Sequence, residues 1–218
     1  MKLSTLLSAA LLTLSATGSS AQDTSLDGLK DRIVGSWTSI GCEVRPTANP
    51  EGGSPTPTYL TRDFAYDDEG GFEATISTYL DATCETPMVT FSFAGDIVWH
   101  DENPASAGAW SQDYVLNKKL ILTPRHPAFA DQLNSLPSGS CGEGPYAVDE
   151  GLDVLGVPCV LVKILEGNEF VVDHDLLLVR EDSPNLLFMG GKHVDGTAFY
   201  APENRPTVGL QQPLVRVN

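Results

Sequence analysis

Alternation of apolar and polar residues, segment after segment, constrains this chain more than any other feature. Phe72, Ala74 and Ile76 fall on one side of an extended chain, with Glu73, Thr75 and Ser77 on the other. Val89, Phe91 and Phe93 alternate with Thr90 and Ser92 in the same way. A period of two marks a half-buried strand, because successive side chains of an extended chain point to opposite faces. Strands are expected over residues 36–44, 58–66, 72–80 and 88–99, and a pair within 107–122 joined near Asn117-Lys118. Further strands are expected over 159–165, 169–180 and 185–189, and a closing one over 210–217. Asp67-Asp68-Glu69-Gly70-Gly71 reads as a hairpin turn, and the Pro-, Gly- and Ser-rich stretch 46–57 as a loop. Helical spacing occurs over 22–33, where Leu26, Leu29 and Ile33 share a face, and over 127–136 before Pro137. The expected fold is mostly β: an antiparallel sandwich or barrel with one or two short helices. Closure removes exposed sheet edges.

The chain has 218 residues, 41% of them hydrophobic, a size and composition suited to one compact domain. Its 13 Lys and Arg face 29 Asp and Glu, a net charge of −16. Such acidity disfavours nucleic acid and anionic membrane surfaces as partners. Residues 1–21 read as a signal peptide: Lys2, an apolar run over 3–14, then the small residues Ser19-Ser20-Ala21. That run is too short to span a bilayer, and no later segment is long and apolar enough to do so. A single β-barrel domain over 22–218, exported to the periplasm or secreted, is expected. Cys42, Cys84, Cys141 and Cys159 form an even set in an exported chain and are expected to be oxidised, with three pairings open.

A series of short motifs is more specific. Gly35-Ser36-Trp37 opens the first strand. Cys42-Glu43-x-Arg45-Pro46, Tyr59-Leu60-Thr61-Arg62-x-Phe64 and Tyr79-x-Asp81-x-x-Cys84-x-x-Pro87 follow, then Gly95, Gly108, Leu122-Thr123-Pro124 and Leu133-Asn134. Cys141-Gly142, Asp153-Val154 and Gly156-x-x-Cys159 complete it. In order and residue type this series resembles the adenomatosis polyposis coli down-regulated domain of an animal Wnt antagonist, over about residues 33–200. The resemblance implies a small, antiparallel, lipocalin-like β-barrel with a hydrophobic cavity for a lipid, such as an acyl chain. It also implies the pairings Cys42–Cys84 and Cys141–Cys159. The animal proteins carry two such domains and a membrane anchor, so Wnt antagonism is not carried over. Tyr146 stands where that family tends to have Trp.

Leu60, Phe64, Phe72, Ile76, Phe91, Phe93, Trp110 and Tyr114 are assigned to inward faces, where they line a cavity or fill the barrel. Burial of a ligand chain there yields about 0.8 kcal/mol per CH₂. Arg62 shares parity with Leu60 and Phe64, so it points inward and needs a partner; Glu43 is the candidate. The two form either a structural pair or a polar clamp for a ligand head. Arg45 is placed at the rim; Trp37 resembles the closed-end plug of lipocalins or is a simple core Trp. Asp173-His174-Asp175 reads as a solvated strand face rather than a metal site. No hydrolase, metalloprotease or nucleotide-binding motif is present, so no catalytic residue, metal or cofactor is assigned. The expected function is non-enzymatic binding of a fatty acid or lipid-like ligand inside the barrel. The alternatives are a surface adhesion or scaffold module with a packed barrel and, third, a hydrolase on the same fold.

Overall fold

The computed structural model describes residues 23–49, 51–159, 171–192, 202–207 and 209–217. The expected signal segment and most of the strand expected over 159–165 lie outside them. The chain is mostly β, as the alternation requires. Helix α1 (Leu26–Ile33) starts where the Ser25 hydroxyl accepts the Gly28 N–H at 3.1 Å, and it buries Leu29 and Ile33. Strands β1 (Gly35–Ser39), β2 (Glu43–Thr47), β3 (Thr56–Tyr66), β4 (Gly71–Tyr79), β5 (Pro87–Glu102) and β6 (Trp110–Pro124) follow. Helix α2 (Pro127–Asn134) separates them from β7 (Leu152–Asp153), β8 (Val171–Val179), β9 (Leu186–Met189) and β10 (Leu214–Arg216).

All pairings are antiparallel, in the order β1-β10-β9-β8-β6-β5-β4-β3-β2. An extra pairing of β1 with β3 links the two ends, so eight of the strands form a closed ring. The short strand β7 hangs on β6 outside that path. The Asp67 carboxylate accepts the N–H groups of Glu69 and Gly71, which makes the expected turn between β3 and β4.

Three local expectations are corrected. The single strand expected over 36–44 is two. β1 pairs with Asp63–Tyr66 and β2 with Thr56–Leu60 along the same edge of β3, and the chain bends between them at Gly41. β1 also pairs with β10, at Trp37↔Arg216 and Thr38↔Val215, so it lies between β3 and β10. The loop expected over 46–57 is shorter, because β2 and β3 continue pairing through Pro46↔Pro57 and Thr47↔Thr56. The two strands expected within 107–122 are one, β6. Asn117-Lys118 is an irregularity, not a turn: Ala94 pairs Lys119 while Asp96 pairs Val115. Asp96 holds it by accepting from Asn117 at 2.9 Å and pairing with Lys118 at 2.6 Å. Gly95 makes the close approach possible, since a Cβ there would lie 1.8 Å from the Val115 carbonyl oxygen.

The disulfides are Cys42–Cys84 and Cys141–Cys159, the pairing the resemblance implies. The first joins the bend before β2 to the β4–β5 connection. The second ties the segment after α2 to residue 159.

Candidate ligand-binding site

The register of the ring stacks inward side chains in rows. Tyr66 and Phe72 face each other across β3 and β4; Phe64, Ala74, Phe93 and Leu120 make the next row. Arg62, Ile76, Phe91 and Leu122 follow, then Leu60, Thr78 and Val89. Phe64, Phe72, Phe93 and Tyr114 meet as one aromatic cluster, joined by Tyr66, which the sequence reading did not single out. Ring centroids are 4.7 Å apart for Phe72–Tyr114, 6.2 Å for Phe72–Phe93 and 5.7 Å for Phe64–Tyr114. The Tyr66 and Tyr114 hydroxyls share a hydrogen bond of 2.5 Å, and burial pushes both phenols far up. Leu60, Phe64, Phe72 and Tyr114 are buried; Ile76, Phe91 and Phe93 face inward yet are only half-buried. Trp110 lies apart, at the α1 end, where its indole N–H donates to the Thr24 carbonyl at 3.0 Å.

Arg62 points inward and is 1% exposed. Its Nε donates to Glu43 Oε1 at 3.0 Å and its Nη2 to Glu43 Oε2 at 2.8 Å, a forked pair. Nη2 also donates to the Gln212 carbonyl at 2.8 Å, and Nη1 faces Met189 Sδ at 3.2 Å. The Ser39 hydroxyl donates to Glu43 Oε1 at 2.6 Å. With these partners the guanidinium and the carboxylate satisfy each other, as a structural pair does.

A second buried charged group was not legible beforehand. In β8, Asp173 and Asp175 share parity with Val171, Leu177 and Val179 and point inward. Lys192 Nζ lies 2.6 Å from Asp173 Oδ1 and 2.8 Å from Asp175 Oδ2. Asp175 Oδ1 accepts the N–H groups of Leu176 and Gly190. Burial works against the Lys192 ammonium, but Asp173 and Asp175 outweigh it and hold its pKa above the ordinary value. Arg45 is half-buried rather than at an open rim; it donates to Gln211 Oε1 at 2.7 Å, and burial together with Arg62 lowers its pKa. Across the strand from Asp175 sits Gln112, 0% exposed, with neither side-chain amide atom partnered among the described residues. An unpartnered buried amide typically costs about 1–3 kcal/mol.

Burial pushes the Asp173 carboxyl up to about 6, with Lys192 opposing and Asp175 reinforcing the shift. Its pKa is raised above the ordinary 3.8, so the folded state holds this proton more tightly than the unfolded chain. The stability it contributes is complete below about pH 4 and is lost as pH rises through about 6. In urea unfolding, the stability difference between the wild type and Asp173→Asn should therefore fall between those values, by up to about 1.4 kcal/mol per pH unit. A difference that stays flat through that window would show that Asp173 does not titrate there.

The outer face of β8 also departs from expectation. His174 is buried to 9% exposure, not solvated. Its Nδ1 lies 2.6 Å from Asp113 Oδ1, while His100 Nε2 lies 2.8 Å from Asp113 Oδ2. Arg205, just after the 3-10 turn Pro202–Asn204, pairs with Asp113 and donates to the backbone carbonyls of Gln112 and Asp175. Burial alone would raise the Asp113 carboxyl; hydrogen bonds from His174, His100 and Arg205 hold it below the ordinary value. This cluster pins the segment around Arg205 against the outside of the ring. Among the described residues no group of three or more His, Cys, Asp or Glu side chains is placed to hold a metal ion.

The geometry is thus an apolar, aromatic-lined interior with two sets of paired charges beside it. The family model described as adenomatosis polyposis coli down-regulated 1 matches residues 19–154. The match spans β1 to β7, both helices and the whole aromatic cluster.

Proposed function

The chain belongs to the adenomatosis polyposis coli down-regulated 1 family, and from that premise we propose that it is an exported, non-enzymatic protein that binds a fatty acid or lipid-like ligand inside its ring of strands. The observation that carries this reading is the half-burial of Ile76, Phe91 and Phe93. These side chains face inward in a closed ring, yet their surfaces are not fully covered by the protein's own atoms. A chain laid along them would remove that apolar area from water, about 0.8 kcal/mol per CH₂, with no reactive group needed. Support for a binding rather than a catalytic role comes from the interior charges, which pair with one another: Arg62 with Glu43, Lys192 with Asp173 and Asp175. The two disulfides fit an oxidising compartment, the periplasm or the cell exterior. Among the described residues no helix is long and apolar enough to cross a membrane.

The test is titration of delipidated protein with a fluorescent fatty acid. Saturable binding is expected, weakened roughly tenfold or more in Phe91→Ser with the fold intact. Absence of saturable binding in the wild type would rule the reading out. A packed adhesion or scaffold module is the second reading, favoured by the mutual contacts of Phe64, Phe72, Phe93 and Tyr114, which close one level of the interior. It predicts no binding and an unchanged response to Phe91→Ser.

A further inference from the structure

Arg45, Arg62 and Lys192 all reach the interior of the ring, and two of them are held by carboxylates. Arg62 forks onto Glu43, and Lys192 lies between Asp173 and Asp175. Arg45 shares the parity of Glu43 on β2, so it points inward. Among the described residues its side chain makes no ion pair, and its one hydrogen bond runs from Nη2 to the neutral Gln211 Oε1 at 2.7 Å. A guanidinium carries five N–H donors, so most of its capacity is left over. The residue is only half-buried, so part of its surface remains accessible. Thr58 stands directly across the strand pair from Arg45, and its hydroxyl shares a 2.8 Å hydrogen bond with the Thr47 hydroxyl. Two hydroxyls that share one bond keep one O–H to give. These three half-buried side chains lie on the inward side, beyond the Glu43↔Leu60 pair, and together offer more donors than acceptors.

Charge decides what completes this set. Burial and the Arg62 cation weaken the Arg45 charge by more than Asp173, Glu43 and Asp175 restore it, so the guanidinium is under-compensated where it stands. A cationic head would be repelled by Arg45 and Arg62, and every one of those carboxylates already holds a partner, Glu43 with Arg62 and both aspartates with Lys192. An uncharged head supplies an acceptor but no countercharge. An anionic head is repelled by the same three carboxylates, but none of them lies within ion-pair distance of Arg45 among the described residues. Attraction at contact exceeds repulsion at longer range. We infer that Arg45, with Thr47 and Thr58, is the head-group site of the ligand and takes an anionic head, a carboxylate or a phosphate, whose apolar chain runs past Leu60 toward Ile76, Phe91 and Phe93. This rests on the binding reading above and narrows it to ionised amphiphiles. Thr58 and Phe64, whose ring meets Phe93, lie roughly 20 Å apart along β3, a span longer than a decyl chain.

Displacement of the uncharged probe N-phenylnaphthylamine from the delipidated full chain tests it, at about pH 8, where a carboxylic acid is ionised. Decanoate, decyl phosphate, decanol and decyltrimethylammonium share one chain length and differ in the head. Decanoate or decyl phosphate should compete at least roughly tenfold better than decanol, with the cationic competitor weakest. Arg45→Gln should bring the better anion to within about threefold of decanol. If Arg45→Gln does not fold, Arg45→Met keeps the stem packed and serves instead. Decanol competing as well as both anions would overturn the inference while leaving lipid binding standing. A preference for anions that survives loss of the guanidinium would overturn it too, and would move the head to another cation. Failure of the probe and all four competitors to bind would remove the binding reading and this inference together. Decanoate ahead of decyl phosphate supports a carboxylate head; the converse supports a phosphate.

Discussion

An Arg62→Met variant is expected to lose about 3–5 kcal/mol of folding stability, because it strands the Glu43 carboxylate inside the ring without its cation. Glu43 is 5% exposed, and its remaining donor is the Ser39 hydroxyl. The penalty comes mostly from the uncompensated charge, not from the attraction that was lost. Replacing both members, Arg62→Met with Glu43→Leu, should therefore recover most of the loss. A buried pair exchanged for apolar side chains of similar volume is often neutral or stabilising. Urea midpoints of the two single variants and the double variant, with slopes compared, measure this. If the double variant is no more stable than Arg62→Met, the pair contributes something beyond mutual neutralisation. The Gln212 carbonyl, which also accepts from Arg62, names the β10 side of the ring as the place to look. Because the donors of Arg62 facing Glu43 and Gln212 are engaged within the protein, the double variant is also expected to keep its ligand affinity. A strict clamp role would predict its loss.

What could be read in advance follows from where the chain is amphipathic. Strands β3, β4 and β5 have one apolar and one polar face, so parity alone places Leu60, Arg62, Phe64, Phe72 and Phe93 inward. Strand β8 is apolar on both faces: Val171, Leu177 and Val179 lie inside, while Leu176 and Leu178 pack outside with Ala109 and Phe188. A period of two cannot choose between such faces. The parity Asp173 and Asp175 share with Leu177 was the signal available, and solvation of their charges argued against reading it as burial. Their partner Lys192 comes from beyond β9, a contact no local pattern announces. The same holds outside the ring, where Asp113 gathers His100, His174 and Arg205 across sequence separations of 13, 61 and 92 residues. The disulfide pairing stayed open until a family resemblance supplied it, because spacing among four cysteines allows three connectivities. The break between β1 and β2 was missed for a simpler reason. Both halves pair with one strand, β3, so nothing in the apolar pattern marks the bend at Gly41 between them.

Trp37→Ala is expected to cost about 3–5 kcal/mol, the range for removing a large buried aromatic side chain. For a domain of this size that lowers Tm by roughly 6–20 °C. The residue is 1% exposed and joins three elements at the closing point of the ring. Its indole N–H donates to the Ile33 carbonyl at 2.7 Å, holding the C-terminus of α1. Its ring lies under the Arg216 guanidinium, 4.2 Å from the centroid, which ties β1 to β10. Arg216 in turn donates to the carbonyls of Val34 at 2.7 Å and Arg32 at 2.5 Å, the end of the same helix. A cation there also suits the helix dipole. Trp37 and Arg216 thus support a shared contact set, and their substitutions should not add. The double variant Trp37→Ala with Arg216→Ala should be more stable than the sum of the single losses predicts, by roughly 0.5 kcal/mol or more. Trp37→Phe should fall between wild type and Trp37→Ala, because it keeps most of the buried area and gives up the bond to Ile33, about 1 kcal/mol. Strict additivity in the cycle would mean that the cation over the ring contributes no coupling, and that β10 is held to β1 by its ladder and by Leu214 alone.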